Sequence, residues 1–227
     1  MDKTRAQRPI PLALTALVAL FSALAALAVS NGSIAHAHGD ATHDRGDVSR
    51  AEVALRNDMR RLWEDHIVWT RLAVISLTTD APDTEATVGR LLANQTHIGD
   101  AVKPFYGEAA GNELTRQLRL HILIAADVIG AAKAGDAAKL ADAQARWEAN
   151  ADDIAGVLAS VNPHWKLRTM EAEMGTHLEL TTREVVARLQ GNWNADVAAY
   201  DEIHDHILHM ADLLSSGLVK QFPKRFR

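Results

Sequence analysis

From residue 48 onward, apolar positions recur at steps of three and four, the spacing that keeps side chains on one face of an α-helix. Four stripes stand out. Leu55, Met59, Leu62, His66, Trp69 and Ala73 form the first, and Leu114, Leu118, His121, Ala125, Val128 and Ala132 the second. Met170, Met174, His177 and Thr181 form the third, and Ala199, Ile203, His206, Met210 and Leu213 the fourth. One histidine sits inside each apolar seam. Breakers divide the pattern into six helical segments: Asp80-Ala81-Pro82-Asp83, Lys103-Pro104, Gly135-Asp136, Asn162-Pro163 and Gly191-Asn192. The segments fall near residues 48–79, 83–102, 112–133, 136–160, 165–189 and 193–221. The predicted fold is an all-α antiparallel helical bundle over 48–223, followed by a basic tail, 224–227. Four core helices carry one histidine each, and the other two pack outside or extend one end.

A repeat underlies the pattern. His66 and His121 are 55 residues apart, and His121 and His177 are 56 apart. Ile67, Ile122 and Leu178 follow the three histidines, and Thr70, Ala125 and Thr181 lie four residues beyond them. Asn94 and Asn150 are also 56 apart, each with an isoleucine four positions on, Ile98 and Ile154. The unit reads as a helix, a turn and a returning helix. Asp80, Gly135 and Gly191 each lie 14 residues after a histidine, and Asn192 lies 14 before His206. At about 1.5 Å per residue, all four imidazoles are then about 20 Å from the same end of the bundle, in one layer.

Composition narrows the class. A chain of 227 residues that is 48% hydrophobic can bury one sizeable core. Only 5% of its residues are aromatic, and Gly and Pro are sparse, as a helical protein requires. A net charge of −5 argues against a nucleic-acid-binding surface. Lys3, Arg5 and Arg8, the apolar run 12–29 and Ala35-His36-Ala37 have the pattern of a signal peptide over 1–37. They predict an exported protein, periplasmic or envelope-associated. The alternative is an uncleaved segment, which would be the chain's membrane contact. Residues 38–47 form a polar leader with His38 and His43. Cleavage after Ala37 would leave the His38 amine and imidazole able to chelate copper together. There is no cysteine, so any metal must be held by His, Met, Asp or Glu.

Four seam imidazoles at one height suit a transition metal; copper, zinc and iron are all chemically reasonable. The metal site expected is His66, His121, His177 and His206. A closed set of four ligands favours storage, buffering or redox use, and three would leave a position open for metal-dependent oxidoreductase or hydrolytic chemistry. Haem b on two axial histidines, or on Met170, Met174 or Met210, is a lesser reading. The reading from another class is a non-catalytic envelope bundle for ligand sensing or interaction, its histidines a structural or pH-sensitive layer. Glu173 and Glu184 flank His177 at −4 and +7, and Glu202 lies four before His206. They are candidates to orient an imidazole, with solvent-facing ion pairs, for instance to Arg188, as the alternative. His209, with Asp205 and Asp212 near it, is either a surface metal cluster or a solvated charged face. Glu-x-x-His, His-Glu-x-x-His, Gly-x-Ser-x-Gly, phosphate-loop, covalent-haem and dinucleotide signatures are all missing, and no catalytic residue is identified.

The runs LWEDHIVWTR at 62–71, KPFYG at 103–107, AAKAG at 131–135 and MAD at 210–212, with Gln221-Phe222, resemble a family of small bacterial helical proteins without a settled function. The likeness spans roughly residues 54–222. It implies a helical domain and no reaction. Glycosyltransferase and acetylglutamate kinase labels circulate in that family, and the missing nucleotide-binding features give them no support here.

Overall fold

The computed structural model describes residues 48–227. The expected signal segment 1–37 and the leader 38–47 lie outside them. The described residues form α1 (Arg50–Thr79), α2 (Thr84–Ala134), α3 (Ala137–Val161), α4 (Leu167–Leu189) and α5 (Trp193–Gln221), then a short 3-10 turn. The fold is all-helical, and among the described residues there is no strand. No helix among them is long and apolar enough to cross a membrane.

Helix ends follow local chemistry. The Ser49 hydroxyl accepts the Glu52 N–H at 3.1 Å, Asp136 accepts the Lys139 N–H at 3.1 Å, and Asn192 accepts the Ala195 N–H at 3.3 Å. Asp80, Gly135 and Gly191 end α1, α2 and α4 with φ of 53°, 70° and 70°. In each case the next residue's N–H reaches back five positions, Ala81 to Ser76, Asp136 to Ala131 and Asn192 to Ala187, at 3.0, 3.1 and 2.9 Å.

One boundary differs from the sequence expectation. The helix does not stop at Lys103-Pro104 but runs on to Gly107, where φ 83° and ψ 173° reverse the chain. That conformation is open essentially to glycine alone. Pro104 has no N–H to donate to the Asp100 carbonyl, and the helix continues past it all the same. The two limbs of α2 therefore lie antiparallel: Arg119 Nη1 donates to the Leu92 carbonyl at 3.0 Å, across 27 residues. Near the corner their backbones almost touch. A β-carbon on Gly99 would sit 2.6 Å from the Gly111 carbonyl oxygen and 1.9 Å from Thr115 Oγ1. Gly99→Ala must push the limbs apart. The expected cost is about 1–3 kcal/mol, read as a lower denaturant midpoint.

The outcome is three helical hairpins: α1 with the first limb of α2, the second limb with α3, and α4 with α5. α3 also packs on α4, and α5 on α1, which closes the ring. Core residues recur by the 55- and 56-residue spacing. Val74, Ile129 and Val185 form one cluster. Trp63, Leu118 and Met174, then Ile98, Ile154 and Met210, then Val102, Leu158 and Leu214 line a central apolar cavity of about 20 Å³. That volume is about that of a single water molecule.

Candidate functional site

The histidine layer lies beside that cavity. His66 on α1, His121 on the second limb of α2 and His177 on α4 are 3%, 3% and 5% exposed. The His177 ring is centred 5.8 Å from His66, 5.9 Å from His121 and 6.2 Å from His206 on α5. The four seam histidines thus come together, with His177 in the middle. Trp63 stands edge-on to His66 at 5.6 Å, and Trp147 lies against His121 at 5.3 Å. Met170, Met174 and Met210 are buried in the surrounding core.

Each hairpin repeats one hydrogen bond. Asn94 Nδ2 donates to the Leu62 carbonyl at 3.0 Å, Asn150 Nδ2 to the Gln117 carbonyl at 3.3 Å, and His206 Nε2 to the Glu173 carbonyl at 3.2 Å. Every accepting carbonyl lies four residues before a layer histidine. Asn94, Asn150 and His206 are spaced by exact steps of 56, so His206 takes the position of an asparagine. That equivalence was present in the sequence, hidden because the residue type changes.

The ring nitrogens are used unequally. His121 Nδ1 bonds Asn150 Oδ1 at 2.9 Å, and Trp147 Nε1 donates to His121 Nε2 at 3.2 Å. Because the amide oxygen only accepts and the indole only donates, His121 is neutral with its proton on Nδ1. His66 Nδ1 faces the Gln95 amide nitrogen at 3.1 Å, which also reaches the Leu91 carbonyl at 2.9 Å. His177 Nδ1 is buried and has no partner. Burial lowers His66 to about 3, with a further push from His121, and lowers His121 to about 4 against the Asn150 bond. His177 is held well below the usual imidazole range by burial and then by the other three rings. Burial also lowers His206, opposed by Glu173. The inner layer is uncharged at neutral pH.

The three carboxylates considered beside the layer have different surroundings. Glu173 faces His206, with Oε2 3.7 Å from Nδ1, and its Oε1 is 3.6 Å from His209 Nε2. Glu184 is fully buried but belongs to an ionic cluster: Arg71 bonds it at 2.7 Å and grips Asp196, which Arg188 also bonds at 2.9 Å. Burial raises the Glu184 carboxyl, and Arg71 opposes the shift. Glu202 pairs with Arg183 on the surface at 2.6 and 2.9 Å. His204 reaches Glu64 on α1 at 2.8 Å, away from the layer. The Arg71 cluster had no signal in helical spacing, since its members come from three helices.

Among the described residues, no three His, Asp or Glu side chains already stand in metal-holding geometry. Comparison of the chain with protein-family models, curated proteins and solved structures gave no match.

Proposed function

We propose that this chain is a non-catalytic helical bundle of an exported or envelope-associated protein, working by interaction or ligand sensing, with the inner imidazoles as an internal polar layer. One observation carries this reading: both ring nitrogens of His121 are taken by the protein's own Asn150 and Trp147. Such a ring has no lone pair left for a ligand, and its bonds tie the second limb of α2 to α3. Burying polar rings is tolerable when they are hydrogen-bonded, and a bonded layer disfavours slipped helix registers. The amino-terminal export pattern supports the envelope assignment.

A transition-metal centre of His66, His121, His177 and His206, or a haem between two of them, is the competing reading. It would require Trp147 to release His121 and the Gln95 amide to turn over beside His66. Nitrogen NMR of the imidazoles decides between the two. His121 is expected to keep its Nδ1–H form unchanged when excess zinc, copper or haem is added to the full chain. A ligand-induced change at His121 Nε2 would overturn the proposal.

A further inference from the structure

The two ends of the bundle carry opposite charge. Because neighbouring helices alternate in direction, residues 48–56, 100–111, 159–171 and 216–227 gather at one end. They hold nine Lys and Arg against four Asp and Glu, a net of +5 in a chain whose total is −5. The other end, residues 71–85, 127–142 and 183–196, holds five Lys and Arg against eight Asp and Glu.

The basic end is one packed surface. Arg56 reaches the Ser216 hydroxyl at 3.2 Å, Gln221 the Val161 carbonyl at 3.1 Å, and Arg225 the Pro104 carbonyl at 3.0 Å. Phe105 packs on Phe222 and Phe226, with ring centres 5.4 and 6.2 Å away. Glu52 pairs with Arg56, and Asp100 and Glu108 pair with Lys103, so three of the four acids are already taken. Lys166, Arg168, Lys220, Lys224 and Arg227 are exposed, and Leu167, 47% exposed, stands between the first two.

We infer that this end of the bundle is a docking face for the surface of an anionic phospholipid membrane. Exposed cations interleaved with aliphatic and aromatic side chains match a headgroup layer, where phosphates meet the first acyl carbons. The negative total charge of the chain does not oppose the approach. α5 has 29 residues and is about 44 Å long, whereas charges are screened within about 10 Å at 0.1 M salt. The bilayer therefore feels the basic end and not the acidic one, which orients the bundle end-on. The chain also enters at this end, since Val48, 59% exposed, precedes α1. An apolar run 12–29 that stayed attached would tether the bundle with its basic face toward the lipid. Docking of this kind presupposes the envelope placement proposed above and adds a contact made by the bundle itself.

The test uses the full chain, which has no cysteine of its own, carrying either Leu167→Cys or, near the acidic end, Val197→Cys. Each cysteine is labelled with a polarity-sensitive dye. Leu20→Asp, Leu24→Asp and Leu27→Asp in the background keep the amino-terminal run out of the bilayer. The vesicles are phosphatidylcholine with about 30% phosphatidylglycerol, in about 0.1 M salt. The label at 167 is expected to shift to the blue and the label at 197 to stay unchanged. Phosphatidylcholine alone is expected to leave both unchanged. Each cation near an anionic surface strengthens binding about fivefold. Lys166→Gln, Arg168→Gln and Lys224→Gln together are therefore expected to raise the lipid concentration at half-shift about a hundredfold. All three side chains are exposed, so the fold is kept. An unshifted label at 167, equal shifts at both positions, a shift with neutral vesicles, or an unchanged half-shift in the triple variant would overturn the docking face. Each would leave the neutral His121 of the inner layer untouched. Duplex DNA that shifted the 167 label as strongly would also overturn it, by assigning the surface to nucleic acid.

Discussion

Acidification from pH 7 to pH 4.5 is expected to remove about 5 kcal/mol of folding stability through His66 and His121 alone. Their folded pKa values, about 3 and about 4, lie below the free imidazole value of 6.5. Between those limits the unfolded chain binds protons that the native layer refuses. Stability from these groups is therefore fully present above about pH 6.5, falls as the pH drops, and levels off only below the folded values. Each group contributes about 1.36 kcal/mol per pH unit, so two groups over two units give the figure stated. His177 acts in the same direction. Glu184 acts in the opposite one, because its raised carboxyl pKa favours the native state as the pH falls. Since a domain of this kind has about 5–15 kcal/mol in total, the loss is large. Urea unfolding at pH 7.5, 6, 5 and 4.5 measures it. A midpoint that stays constant down to pH 5 would mean that the layer is not buried and neutral.

The second large effect separates two histidines that look alike in the sequence. His121→Leu is expected to cost about 3 kcal/mol, since it strips partners from Asn150 Oδ1 and from the Trp147 indole N–H, both inside the bundle. His177→Leu removes a ring whose Nδ1 is buried without a partner, and is expected to stay within about 1 kcal/mol of the parent protein. Denaturant unfolding of the two variants side by side is the measurement. Equal losses would count against the hydrogen-bond assignment, and a far larger loss at His177 would favour a ligand held at the centre of the layer.

Much of this was readable in one dimension because helices convert sequence spacing into geometry. The 3.6-residue period put His66, His121, His177 and His206 in apolar seams, and the turn markers at 80, 135 and 191 set them at one height. The Lys103-Pro104 signal misled by a few residues. The helix runs past Pro104 at the loss of one hydrogen bond, and only Gly107 could adopt the backbone that reverses the chain. Glu184 and Glu202 have helical offsets like that of Glu173, yet only Glu173 approaches a layer histidine. Arg71 occupies Glu184 and Arg183 occupies Glu202, and a carboxylate's partner depends on which cation lies across the helix interface.

The order of hydrophobic and polar residues by itself determined the helices, the hairpin repeat and the common level of the imidazoles, since these depend on distances along a chain of known pitch. Which ring nitrogen is bonded was decided only by tertiary structure. Gln95, Asn150, Trp147 and the Glu173 carbonyl reach the rings from neighbouring helices, and a hydrogen bond's direction depends on side-chain rotation that no spacing rule contains.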